Sequence, residues 1–263
     1  MGIFDFFGGG KGGGKEGLRK QAQKITTKFG PPENRQKVIE QLAAIDSAEA
    51  LGTLCLRFTI RADPGITDDE EKERVREILV EAGEKAVGPV KEFLEAQESG
   101  VSWGLRVLAA LRPPPDVVGT ALRLLHRLGR EYTRDPEKKI VLLGWLAEHH
   151  GDLSASAAAG AAPGVAADAP PLDEALLPLL EDFSDDVRIA AVRVLAQQPL
   201  TERTRAALIE LYLRDKDNAR VRGEVLDALA ALGADVKGYR PSVEALLAEP
   251  WFLDKEGRVK KRG

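Results

Sequence analysis

One helical phrase recurs in this sequence and constrains the fold more than any other feature. It is clearest over 182–195, where Asp182 precedes Val187-Arg188 and a stripe of apolar residues at helical spacing. The Val-Arg pair returns at Val221-Arg222, a step of 34 residues from 187 to 221. A period of this size is typical of stacked helix pairs, in which each pair buries its apolar face against its neighbours. The sequence therefore predicts an extended array of helices.

The composition favours helix-on-helix packing and disfavours several classes of protein. Hydrophobic residues make up 43% of the chain, but aromatic residues only 5%, so Leu and Ala fill the predicted core. The formal net charge of -4 argues against a general nucleic-acid binder. The single cysteine, Cys55, excludes an intramolecular disulfide framework and is interpreted as a small core residue. With no apolar run of membrane-spanning length and no secretory leader, we expect a cytoplasmic location.

Changes in composition divide the chain into five parts. We predict a flexible Phe- and Gly-rich tether at 1–14, helix pairs over 15–150, a disordered Ala/Gly/Pro linker at 151–170, further helix pairs of the same solenoid over 171–250, and a carboxy-terminal cap with a basic tail at 251–263. The helical pattern resumes after the linker as though uninterrupted, so we expect the linker to loop out between two stacked repeats. The final segment has the pattern of a short hairpin, which is suited to capping the last helix pair.

The amino-terminal segment has an apolar tip followed by basic residues, and its role has three interpretations. The tip consists of Ile3, Phe4, Phe6 and Phe7, with Lys11 and Lys15 after it. It resembles the short amphipathic starts of some bacterial peripheral membrane proteins, because an apolar anchor next to basic residues builds weak interfacial binding. It could equally dock on the protein's own body or enter a groove of a partner.

The phrase at 182–195 resembles the consensus of the HEAT-repeat family. The resemblance implies an all-α superhelix of about six antiparallel helix pairs, with a ladder of bonds along the stack in which Asp182, Arg188 and Arg222 take part. The second repeat departs from the pattern, since Asp215 lies seven residues before Arg222, whereas Asp182 lies six before Arg188. The closing segment 253–260 is similar to the tail of bacterial HEAT-repeat proteins, which implies a bacterial source.

The sequence contains no set of residues that would support catalysis or metal binding. The three histidines lack the cysteine or repeated His-Glu partners of a metal site, and no nucleophile elbow is present. The glycine-rich 8–14 lacks the Gly-Lys-Ser/Thr ending and the preceding strand of a phosphate loop. A HEAT-like DNA glycosylase is a remote alternative, opposed by eleven acidic against five basic residues in 67–98. We therefore predict no enzyme activity, no cofactor and no bound metal.

These observations lead to a non-enzymatic scaffold or adaptor that binds a protein or peptide on a concave face lined by second helices. Outward-facing basic residues on those helices are the candidate contacts: Arg74, Lys138, Arg193 and Arg220. The alternative is a peripheral adaptor at the inner membrane, anchored on anionic lipid through residues 1–14.

Overall fold

A computed structural model describes residues 14–129, 132–149, 151 and 170–262 of the protein. The tip residues Ile3, Phe4, Phe6 and Phe7 and nearly all of the predicted linker at 151–170 lie outside these ranges.

Thirteen α-helices and one two-stranded sheet lie within the described residues. The helices are Gly14–Ile25 (α1), Pro32–Ile45 (α2), Ala48–Cys55 (α3), Gly65–Glu81 (α4), Glu84–Ala96 (α5), Val101–Leu111 (α6), Pro114–Leu128 (α7), Glu137–Glu148 (α8), Leu172–Leu176 (α9), Asp185–Leu195 (α10), Glu202–Arg214 (α11), Ala219–Ala231 (α12) and Arg240–Leu246 (α13). Short 3₁₀ helices follow α3 and α9, at Leu56–Thr59 and Leu177–Glu181. The strands are Trp251–Leu253 (β1) and Val259–Lys261 (β2).

The described residues form two compact units, one within 1–117 and the other within 118–263. In the first unit α3 contacts both α1 and α5 in one layer, and α4 contacts both α2 and α6 in a second layer. Leu54, Val75, Phe93 and Leu105 are fully buried within this unit. Each fully buried side chain of this size contributes about 1.5–3 kcal/mol to folding.

In the second unit the second helices of successive repeats lie side by side, α8 against α10 and α10 against α12. The first helices form the other layer, in which the 3₁₀ helix after α9 contacts α11, and α11 contacts α13. Helix α8, which precedes residues 151–170, and α10, the second α-helix after them, therefore pack as direct neighbours. The predicted all-α solenoid class is confirmed.

The carboxy-terminal hairpin closes against the last long helix. β1 and β2 pair antiparallel, with Trp251 opposite Lys261, and β2 contacts α12. The indole of Trp251 donates to the carboxylate of Asp227 on α12 at 2.9 Å, and the Lys261 ammonium donates to the same carboxylate at 2.8 Å. The predicted hairpin is thus present, and polar contacts join it to α12.

Caps explain where several helices begin and end. Ser47, Thr201 and Asn218 each accept a hydrogen bond from a first-turn backbone N–H of the helix that follows, satisfying one otherwise unpartnered donor. Gly100 precedes α6 with φ of 77°, a left-handed conformation that glycine adopts without steric cost.

Candidate functional site

A buried ion pair links the two repeats that flank residues 151–170. Lys139 on α8 donates to the Asp182 carboxylate at 2.7 Å, and both side chains are at most 5% exposed. The other carboxylate oxygen of Asp182 accepts from the Ser184 amide at 2.9 Å, which shapes the turn into α10. The ladder residue Asp182 therefore bonds backward along the stack, to the preceding repeat.

Arg188 and Arg222 occupy equivalent places in consecutive repeats. Each guanidinium donates to the backbone carbonyl six residues earlier, that of Asp182 for Arg188 and that of Lys216 for Arg222. The Arg188 Nε also lies 3.0 Å from a carboxylate oxygen of Asp215 in the next repeat, as an ion pair without hydrogen-bond alignment. The displaced Asp215 thus pairs with Arg188 of the repeat before it.

Like Arg188, Arg222 bonds to a residue of the next helical segment along the stack, but its partners are of a different kind. Its guanidinium donates to the Leu246 carbonyl near the end of α13, and it lies 5.1 Å from the centre of the Tyr212 ring. The Leu246 carbonyl and the Tyr212 ring take the place of a carboxylate partner for Arg222. The longer spacing between Asp215 and Arg222 therefore does not interrupt the stack.

Three of the predicted partner-binding residues are exposed and already paired across repeats. Arg193 contacts Glu224 at 2.8 Å, Arg74 contacts Glu40 at 2.9 Å, and Arg220 pairs with Asp186. The hydrogen bond from Arg74 lowers the pKa of the Glu40 carboxyl. The expectation that the fourth residue, Lys138, faces outward is wrong, since its side chain is buried in the second unit. The face of α8 that turns inward carries both Lys138 and Lys139.

A buried charge cluster in the first unit is the largest feature that the sequence did not predict. The Arg35 guanidinium donates two hydrogen bonds to the Glu71 carboxylate, of 2.9 and 3.2 Å. Arg57 donates to Glu71 at 2.8 Å and to Asp68 at 2.6 Å, and Lys72 donates to Asp68 at 2.7 Å. All five side chains are buried. One sequence signal was available, because Arg57 interrupts the apolar run 54–58.

A cavity of about 450 Å³ opens where α1 turns into α2. Arg35 joins it to the buried charge cluster, since Arg35 lines the cavity and donates to the Thr27 carbonyl in its wall at 3.3 Å. Lys24 and Lys37 also line it, and no Asp or Glu belongs to its described lining. The cavity is therefore positively charged.

Exposed large apolar side chains cluster in the turns between the first and second helix of a repeat. Tyr132, between α7 and α8, is 71% exposed, and Phe183, before α10, is 73% exposed. Their rings meet edge to face with centres 5.8 Å apart, so one exposed aromatic patch spans two repeats of the second unit. In the first unit Phe29 precedes α2 and Ile66 lies in the first turn of α4, both strongly exposed. The position of Phe183 within the polar turn 182–186 is the signal that could have identified it.

Groups that could perform chemistry are few in the part of the chain that the structure describes. No cluster of three or more His, Cys, Asp or Glu side chains is placed to hold a metal ion within the described ranges. Cys55 is fully buried, and desolvation raises the pKa of its thiol, which keeps it in the unreactive protonated form. Trp145 is half-buried and stacks on His149. None of the described helices is long and apolar enough to cross a membrane.

Comparison with known proteins bears on the second unit. Residues 174–256, from α9 to the hairpin, match the family model described as HEAT repeats. No curated protein and no solved structure matches the chain.

Proposed function

We propose that this protein, whose residues 174–256 are HEAT repeats, is a non-enzymatic scaffold that binds a protein partner. HEAT repeats generally mediate interactions between proteins, which supports a partner of this kind. The observation that carries the proposal is the exposed aromatic patch of Tyr132 and Phe183, placed across two adjacent repeats of the second unit.

The chemistry of this patch suits a contact site. Tyrosine and phenylalanine supply large apolar area with few rotatable bonds, so little conformational entropy is lost when a partner covers them. Residues of this kind, when they become fully covered at the centre of an interface, commonly dominate its binding free energy. Because the two rings already contact each other, the patch is partly ordered before the partner arrives.

The exposed arginines Arg74, Arg193 and Arg220 are proposed as supporting contacts on the second helices. Their present ion pairs with Glu40, Glu224 and Asp186 lie at the surface, where each pair contributes about 0–1 kcal/mol. A partner carboxylate can therefore replace the internal one at small cost. We assign these residues to steering and orientation of the partner, and the aromatic patch to affinity.

Affinity purification from the source organism tests the proposal. The Tyr132→Ala/Phe183→Ala variant is expected to lose at least about tenfold in recovery of a specific partner, equivalent to about 1.4 kcal/mol. The matched control, Ile45→Ala/Leu200→Ala, removes exposed apolar side chains that do not belong to the patch and should retain the partner. Recovery that is equal for the wild type and the patch variant would overturn the assignment of the patch.

The Arg193→Glu/Arg220→Glu variant is compared in the same purification. A moderate loss that shrinks as salt is added is expected for residues that steer the partner. Unchanged recovery at every salt concentration would remove the arginines from the interface while leaving the aromatic patch in place.

Peripheral membrane association through residues 1–14 is the second candidate function. Its support is the sequence pattern of Ile3, Phe4, Phe6 and Phe7 followed by Lys11. Flotation with anionic vesicles, compared between the full chain and a chain lacking 1–14, tests it. If the full chain stays in the dense fraction, the membrane hypothesis fails.

A further inference from the structure

The cavity between α1 and α2 combines a cationic wall with an exposed apolar rim. Lys24 and Lys37 line it, and neither forms an ion pair with another described residue. Phe29 and Val38 supply apolar surface at the same place, and Phe29 is 79% exposed. A volume of about 450 Å³ lies within the range of roughly 300–1,000 Å³ that binding clefts occupy.

The buried cluster behind this cavity carries an excess of positive charge. Its members are three cations, Arg35, Arg57 and Lys72, against two carboxylates, Asp68 and Glu71, so its formal charge is +1. Buried charge is costly unless it is compensated by a nearby opposite charge. Arg35 is buried, at 2% exposed, and it lines this cavity.

Arg35 retains hydrogen-bonding capacity toward a ligand. Three of its N–H groups are engaged, two by Glu71 and one by the Thr27 carbonyl at the long distance of 3.3 Å. A guanidinium has five N–H groups, so two are left without a partner among the described residues. A ligand oxygen at the Thr27 wall would accept from this guanidinium in a region of low dielectric, where such a bond is strong.

We propose that this cavity binds an acidic peptide segment of a partner protein, with a carboxylate between Lys24, Lys37 and Arg35 and an adjacent apolar side chain against Phe29. The proposal rests on the protein-binding function and adds a second contact surface, in the first unit. A short peptide fits better than an extended polyanion, because the chain carries a net charge of -4 and the stretch 67–98 is strongly acidic.

Fluorescence anisotropy with a labelled synthetic peptide of alternating glutamate and leucine tests the proposal on the full chain. The Lys24→Glu/Lys37→Glu variant should bind at least tenfold more weakly than the wild type. The matched control, Lys255→Glu/Lys260→Glu, changes the net charge equally at exposed positions of the hairpin segment and should alter the affinity less than twofold. Phe29→Ala should weaken binding by a smaller factor, about threefold to tenfold, through the lost apolar contact.

Each other outcome contradicts the proposal. No binding of the peptide, equal weakening by the two lysine pairs, or equal binding of a peptide with glutamine in place of glutamate would each overturn it. Binding of anionic vesicles that is lost in Lys24→Glu/Lys37→Glu, with no binding of the peptide, would assign the cavity to lipid headgroups instead. Because the peptide is a direct probe, its failure leaves the result for Tyr132 and Phe183 unaffected, and the two proposals fail independently.

Discussion

At the scale of single residues, Asp182 illustrates how one side chain can hold two repeats in register. One carboxylate oxygen bonds the Ser184 amide within the turn, and the other pairs with Lys139 of the preceding repeat. Its backbone carbonyl accepts from Arg188. The Lys139 pair is buried, so removing one partner leaves a charged group without compensation in a region of low dielectric.

We expect Asp182→Ala to lower the free energy of unfolding of the second unit by about 3–5 kcal/mol, the usual result of breaking a buried ion pair from one side. Urea denaturation followed by circular dichroism measures this change. The control Asp186→Ala removes an exposed partner of Arg220 and should cost at most about 1 kcal/mol. Equal effects of the two substitutions would show that the Lys139 pair contributes nothing to holding the stack.

Gly100 is fixed by its backbone conformation and by a close neighbour. Its φ is 77°, and a Cβ there would lie 2.6 Å from the Phe58 carbonyl oxygen. Gly17, inside α1, has no atom within 4 Å of the corresponding point. These two glycines therefore respond to the same substitution in opposite directions.

We expect Gly100→Ala to destabilise the first unit by at least about 1–2 kcal/mol from the left-handed conformation alone, with the overlap against Phe58 adding to that cost. Gly17→Ala should stabilise it by about 0.5–1 kcal/mol, because alanine loses less backbone entropy in a helix interior. Thermal and urea unfolding of both variants measure the difference. A stabilising Gly100→Ala would contradict the packing of α6 against the Phe58 backbone.

At the scale of elements, the buried cluster joins three segments of the first unit that are far apart in sequence. It connects α2 through Arg35, the 3₁₀ helix Leu56–Thr59 through Arg57, and α4 through Asp68 and Glu71. Burial alone would raise the pKa of Asp68, but hydrogen bonds from Lys72, Arg57 and the Ala62 amide outweigh it and lower that pKa below its ordinary value of 3.8. The relative placement of these elements therefore depends on an ionised carboxylate.

This lowered pKa predicts a specific acid sensitivity. Since the folded state binds a proton on Asp68 less readily than the unfolded state, the stabilisation is complete above the ordinary value of 3.8 and is lost as the pH falls through the folded pKa. Asp68→Asn should lower the stability at neutral pH and make its decline in acid shallower. Urea unfolding over a series of pH values from about 7 to about 3 measures both slopes.

Asp69→Asn is the matched control, because Asp69 is the exposed neighbour of Asp68 on α4. Its slope should follow that of the wild type. If Asp68→Asn and the wild type lose stability in parallel as the pH falls, Asp68 does not govern the acid response of the first unit.

At the scale of the whole molecule, the features that could be predicted are those that depend on the local periodicity of the sequence. The 34-residue step from Val187-Arg188 to Val221-Arg222 led to the solenoid class, and the pattern at 251–261 led to the hairpin. These signals are local because helix stacking and turns depend on residues that are near in sequence. The solenoid class and the hairpin could therefore be predicted from the sequence alone.

The features that were missed depend on pairing between distant residues. Arg35 and Glu71 are far apart in sequence. The apolar periodicity that identifies core positions assigns both of these charged residues to the surface. Lys138 and Lys139 lie on the inward face of α8. A sequence pattern predicts a buried basic residue at such a position only when its acidic partner is already known. The contact of Tyr132 with Phe183 likewise requires the packing of two repeats. Long-range complementarity of this kind cannot be inferred from one sequence.

The packing of α8 against α10 leads to a final prediction about residues 151–170, which the chain places between these two neighbours. If the segment only connects them, its length affects stability through loop-closure entropy alone, and halving a loop contributes only about 0.6 kcal/mol. A variant lacking residues 156–165 should therefore unfold with the wild-type cooperativity and a free energy of unfolding that is unchanged or raised by about that amount. A control in which Gly and Ser replace the same residues at constant length separates composition from length. Urea denaturation measures all three proteins, and a loss of several kcal/mol in either variant would mean that the segment itself packs against the repeats it connects.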